Sequence, residues 1–103
     1  GESVMNCAKR ELIEETGFSA DQWHSLGEIT PVPGYSDERI HVFLATGLRP
    51  AERHLDEDEI IQEHEVECEE ALNMIRRGEI QDAKSIAGLF LAFEWLKENG
   101  NWL

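Results

Sequence analysis

The stretch SVMNCAKRELIEETG, residues 3 to 17, carries start and stop signals for one helix within itself, and it constrains the fold more than any other part of the chain. Ser3 can serve as N-cap, its hydroxyl accepting a hydrogen bond from an N–H that the first turn leaves open. Val4, Met5, Ala8 and Leu12 recur at helical spacing and form an apolar stripe. Gly17, after Thr16, supplies the left-handed residue on which helices commonly end. The spacing therefore predicts a helix over residues 3–16.

Further along, WHSLGEIT (residues 23–30) reads as a short strand, and PVPGYSD as a turn or loop rich in proline and glycine. RIHVFLATGL (residues 39–48) is dense in β-branched and aromatic residues and predicts a buried strand. A charged connection, RPAERHLDEDEIIQEHE, follows, and HEVEC has the alternation of a short strand. CEEALNMIRRG (residues 68–78) predicts a helix stopping at Gly78. DAKSIAGLFLAFEWLKENG (residues 82–100) predicts another, with Asp82 as N-cap and Gly100 as stop signal. Ile86, Leu89, Phe90, Phe93 and Leu96 give that last helix a broad apolar face to pack on a sheet or helix. The class is α/β (α+β) with few strands. So thin a sheet predicts that more strands come from a partner chain or from an N-terminal part outside these residues.

Composition narrows the partners. At 103 residues the chain is one domain at most, and 41% hydrophobic content is enough for a core. A net charge of −13 argues against nucleic acid and anionic membranes, which need basic patches. It leaves a merely soluble acidic protein, a cation binder, or an enzyme that reaches an anionic substrate through bound metal. No apolar run is long enough to span a bilayer, and no secretory signal is visible. Cys7 and Cys68 form no CxxC and read as reduced thiols, which points to the cytoplasm. His24, His41, His54 and His64 lack ligand spacing and read as surface or strand residues. Trp23, Trp95 and Trp102 read as packing residues.

The first helix poses a charge problem. Glu11 and Glu15 are spaced i, i+4, and Glu14 is i+3 from Glu11, so they share an arc of roughly 100° beside the apolar stripe. Like charges so placed cost an isolated helix about 0.2–0.5 kcal/mol per pair. A bare ExxEE is more often a solvated acidic face. Yet crowded carboxylate oxygens are also what hard divalent cations take as ligands.

The full string decides between these readings. Glu2, seven residues, then Arg10-Glu11-Leu12-Ile13-Glu14-Glu15-Thr16-Gly17-Phe18 resembles the Nudix box of the Nudix hydrolases, matching it at every position from Glu2 onward. The box's leading glycine would stand six residues before Glu2, outside this chain. The resemblance implies an αβα sandwich around a mixed sheet, here lacking its N-terminal strands, with residues 1–103 the C-terminal part of a single Nudix domain. It implies that the glutamates hold Mg²⁺ or Mn²⁺, two or three ions, against a diphosphate. By position, Glu11 and Glu15 are the main metal ligands, with Glu15 also counted as catalytic. Glu14 is a further ligand or a holder of metal-bound water. Arg10 and Glu2 form an ion pair that fixes the loop and orients the glutamates.

The rest of the chain resembles one branch, the ADP-ribose pyrophosphatases. Pro33, fifteen residues after Phe18, fits that branch's proline, within Pro31-Val32-Pro33-Gly34-Tyr35-Ser36-Asp37-Glu38. The usual form is closer to S-P-G-x-S-x-E, so Val32 departs from it. HVFLATGL, the acidic E-x-E loop and GEIQDAKS at Gly78 to Ser85 fit as well. Taken alone, LDEDEII (residues 55–61) would read as a solvated loop. The resemblance makes Glu57 the catalytic base and Glu59 a metal ligand, with the register within residues 56–59 open. Pro33, Gly34 and Glu38 become substrate contacts, and Tyr35 either stacks on an adenine or is a plain loop residue.

These readings lead to one expectation: Mg²⁺-dependent hydrolysis of the pyrophosphate of ADP-ribose or a related nucleoside diphosphate sugar, giving AMP and a sugar phosphate. The expected partner is that small-molecule nucleoside diphosphate, without nucleic acid or membrane, in an intact homodimer. The alternatives are a Nudix hydrolase for another nucleoside diphosphate, or a non-catalytic module that binds metal or nucleotide.

Overall fold

The computed structural model of the chain describes residues 1–52 and 65–100. Helix α1 (Val4–Thr16) leads into strand β1 (Phe18–Ile29), strand β2 (Ile40–Pro50), helix α2 (Cys68–Arg76) and helix α3 (Ala83–Glu98). Among the described residues the sheet has two strands, β1 beside β2. No described helix is long and apolar enough to cross a membrane. The described residues fall into two compact units. One comes from Gly1–His24 and Phe43–Glu65, the other from Ser25–Val42 and Val66–Leu103.

In the first unit, both ends of α1 fall where the sequence sets them. Ser3 Oγ accepts from the Asn6 N–H at 3.1 Å. Gly17 turns left-handed at φ 77°, ψ 17°, and its N–H donates to Ile13 O. Thr16 joins helix to strand: its hydroxyl donates to Leu12 O at 2.7 Å and accepts from the Phe18 N–H at 3.1 Å. β1 therefore begins directly after Gly17, well before the expected start at Trp23. Ser19, Ala20, Asp21 and Gln22 have little strand preference of their own, and cross-strand partners override it. Arg49 Nε reaches Asp21 at 2.8 Å, the Thr46 hydroxyl reaches Gln22 at 3.4 Å, and Ala51 N–H donates to Gly17 O at 2.8 Å. These pairs run in opposite order along the two strands, so the hairpin is antiparallel. Gly47 is required here. Its φ is +69°, and a Cβ on it would stand 2.9 Å from Asp21 Cβ. Trp23 packs edge-on against Phe43, with centroids 6.2 Å apart.

In the second unit, α3 is capped by Asp82, whose carboxylate accepts from the Ser85 N–H at 3.0 Å. α3 faces β2 at Gly88, where a Cβ would make an ordinary van der Waals contact with Val42 Cγ1 at 3.7 Å. Ala71 of α2 and Phe93 of α3 are the core, 4% and 7% exposed. Phe90 departs from the expected apolar face: it is 52% exposed. It stands at the margin of that face, its ring meeting Phe93 edge-on at 6.3 Å. HEVEC is not a strand over its described part. Glu65, Val66 and Glu67 have no regular structure, and Cys68 already opens α2; His64 lies outside the described residues. Glu69 and Glu70 occupy the first turn of α2, where acidic side chains complement the helix dipole. That end of the segment favours helix over ladder.

Candidate functional site

The charged face of α1 is organised by Arg10. Its Nε and Nη2 grip the Glu2 carboxylate at 3.0–3.3 Å, while Nη1 meets both oxygens of Glu14 at 3.0 Å. The expected Arg10–Glu2 pair is present, and it is wider than expected because Glu14, one turn on, shares the guanidinium. The Arg10 hydrogen bond holds the Glu2 carboxyl below its ordinary range, and the two carboxylates push the guanidinium further up.

Glu11 is set by a neighbour that the sequence reading passed over. The Cys7 thiol donates to Glu11 Oε1 at 3.3 Å, and Arg10 Nη2 lies 3.6 Å from the same sulfur. The hydrogen bond to Glu11 pushes the thiol pKa up, so Cys7 remains a donor at neutral pH. The i, i+4 spacing of Cys7 and Glu11 was the available signal. Within the crowded set, Glu14 is thus paired with the opposite charge of Arg10, and Glu11 accepts a hydrogen bond from the neutral Cys7 thiol. Glu15 is exposed on the same helix.

Hard carboxylate donors on one helix suit a hard divalent cation. Among the described residues, however, no three His, Cys, Asp or Glu side chains converge into a ready-made cage. Glu57 and Glu59 lie outside the described residues. On its other side α1 meets the start of β1 around a cavity of about 200 Å³, lined by Lys9, Ile13, Ser19, Ala20 and Trp23.

Pro33, Gly34 and Glu38 lie in the second unit, on the loop between β1 and β2. The loop is built rather than open. Tyr35 and Ser36 N–H both donate to Val32 O, at 3.1 and 3.0 Å, and Gly34 takes φ +87° to permit that turn. The Glu38 N–H donates to Ser36 Oγ at 3.0 Å. Tyr35 projects from the tip, 92% exposed.

Residues 1–89 match the family model described as NUDIX domain. The chain is 42% identical over 87 residues to an ADP-ribose pyrophosphatase of Bacillus subtilis, covering 82% of this chain and 47% of that protein. It is 31% identical over 100 residues to the ADP compounds hydrolase NudE of Escherichia coli, covering 97% of this chain and 54% of that protein. A crystal structure of an ADP compounds hydrolase superposes with a TM-score of 0.86 at 31% identity, covering 98% of this chain and 55% of that one. The chain spans about half the length of the curated relatives it matches.

Proposed function

The chain belongs to the Nudix family, and on that premise we propose that it carries the metal-binding helix of an enzyme that hydrolyses the pyrophosphate of ADP-ribose or a related nucleoside diphosphate sugar. The observation that carries the reading is α1 itself, with Glu11, Glu14 and Glu15 on one helix and Arg10 clamped between Glu2 and Glu14. Relatives of matching sequence are named for ADP-ribose, for ADP compounds and for GDP-mannose, which supports a substrate linked to a nucleoside diphosphate.

Glu11 and Glu15, with Glu14 and Glu59, would hold Mg²⁺ or Mn²⁺, two or three ions. When bound, such cations neutralise non-bridging phosphate oxygens and lower the pKa of water. That chemistry also answers the charge of −13, because a diphosphate cannot approach these carboxylates without cations between them. The chain's own residues do the rest. Arg10 and Glu2 fix the helix start, and Cys7 orients Glu11. Glu57 takes a proton from the attacking water as its oxygen bonds to phosphorus and the bridging P–O bond breaks. AMP and a sugar phosphate leave. Pro33, Gly34 and Glu38 contact substrate. Cys7 and Cys68 form no disulfide, in keeping with a cytoplasmic enzyme, and the intact protein is read as a homodimer.

The test is release of AMP from ADP-ribose with Mg²⁺ by the intact protein. Absence of turnover, or unchanged turnover in Glu15→Gln, sinks the proposal. Relatives named for ADP compounds and for GDP-mannose keep one second reading, another nucleoside diphosphate such as a different NDP-sugar or a dinucleotide, which a substrate panel separates.

A further inference from the structure

The loop between β1 and β2 runs from Thr30 to Arg39, longer than the two to five residues of an ordinary hairpin connection. Long ordered loops are where binding residues concentrate. Its tip is shaped by the hydrogen bonds to Val32 O and Ser36 Oγ. Its foot is held differently. Glu28, at the end of β1, places one carboxylate oxygen 3.3 Å from Arg39 Nη1 and the other 3.4 Å from His41 Nδ1. Arg39 directly follows Asp37 and Glu38 in the chain, and its side chain is 65% exposed. A long, exposed cation beside two acids has an obvious competing choice of partner.

We propose that Glu28 is a positioning residue: by engaging Arg39 across the hairpin, it keeps that guanidinium from capturing Glu38, and so leaves Glu38 available to substrate. The inference rests on the reading of this loop as a substrate loop. One oxygen of Glu28 faces Arg39 and the other stands beside His41 Nδ1. Without Glu28, Arg39 swings to Glu38 or Asp37 and draws the segment off Ser36 Oγ. The pair is half-exposed, and such pairs add little to global stability. The effect therefore lies in the loop and leaves the fold alone.

Three variants of the intact protein test this: Glu28→Gln, Arg39→Gln and the double variant. Amide hydrogen exchange at Glu38 decides the restraint. It speeds up about threefold to fivefold in Glu28→Gln and returns to the wild-type rate in the double variant, which has no cation left to misplace. Unchanged exchange, or no recovery in the double variant, overturns the restraint. Steady-state kinetics decide its purpose. KM for ADP-ribose rises about fivefold in Glu28→Gln with kcat held within about twofold, and the double variant recovers. A KM that does not move overturns the assignment to positioning. If the wild-type protein turns over no nucleoside diphosphate, the proposed function fails instead, and exchange at Glu38 still decides the restraint.

Discussion

Arg10 and Arg77 are built alike and sit in different units. Each is one guanidinium shared by two carboxylates: Arg10 by Glu2 and Glu14, Arg77 by Glu70 and Glu79. Their side chains are 48% and 49% exposed. In both, the arginine holds a carboxyl below its ordinary range, Glu2 in one case and Glu79 in the other. What differs is the neighbourhood. Arg77, the residue that ends α2, ties Glu70 in that helix's first turn to Glu79 beyond Gly78, and the carboxylates it holds are in none of the assigned roles. Arg10 takes one of a crowded set of glutamates, and its neighbour Glu11 is fixed by Cys7. Ion-pair geometry alone therefore says nothing of function. The proposed roles separate the two clamps instead, since Glu11 and Glu15 stand on the same helix as Arg10.

The sharpest way to break the comparison is to remove a carboxylate from each side. Glu15→Gln deletes a proposed metal ligand, and the lost charge stabilisation of several kcal/mol predicts a fall in kcat/KM of at least about a hundredfold. Glu79→Gln, measured in the same assay, leaves kcat/KM within about twofold of wild type. Equal effects would erase the distinction between the clamps.

Next in size are the arginines. Arg10→Ala frees Glu2 and Glu14 and leaves the glutamate repulsion unrelieved. Residues that orient metal ligands cost about 10–100-fold when lost, so kcat/KM falls by that much and the half-saturating Mn²⁺ concentration rises. Arg77→Ala changes neither, and its melting temperature stays close to wild type, because exposed pairs of this kind contribute little. Titration of Mn²⁺ by electron paramagnetic resonance separates the two variants without relying on turnover.

Acid gives a smaller, reversible version of the same test. Glu2 and Glu79 each have a folded-state pKa below the ordinary 4.5, so the stability each contributes is present above 4.5 and is lost as pH falls through the lowered value. Neither clamp weakens between pH 8 and about 5. Below that both loosen. Glu2→Gln removes the acid-dependent exchange of amides at the start of α1 and leaves that at the end of α2 untouched. A variant that altered both would show that the two clamps are coupled.

The legible parts of this molecule are those in which a residue's job is set by near neighbours in sequence. Ser3, Gly17 and Asp82 mark helix ends by local hydrogen bonds, and the structure keeps all three marks. The Arg10–Glu2 pair was legible from the spacing of the Nudix box. The beginning of β1 was not, because residues 18–22 become strand through Asp21–Arg49 and Gln22–Thr46, partners far away in sequence. Phe90 was misplaced because a helical periodicity gives the face but not its edge. The sharing of Arg10 with Glu14 and the thiol on Glu11 went unread because each depends on rotamers that several equally spaced partners compete for. Glu57 and Glu59 stand on the resemblance alone.

The smallest expected effect concerns how each unit starts its helix. Ser3 caps α1 with a neutral hydroxyl and Asp82 caps α3 with a carboxylate held below its ordinary range by the Ser85 hydrogen bond. Ser3→Ala removes an acceptor from the first turn and costs about 1 kcal/mol, while Ser3→Asp keeps the cap and adds a charge the helix dipole favours. For α3 that gain is already in place, so Asp82→Asn keeps the cap but gives up the charge. Ser3→Asp brings the new carboxylate next to Glu2, though, and the two repel. If its melting temperature rises at high salt and not at low salt, the repulsion outweighs the dipole and the residues just before α1 already hold as much acid as Arg10 can balance. A rise at low salt would instead show that the Arg10 clamp screens Glu2 fully, and that the start of α1 is limited by capping in the same way as the start of α3.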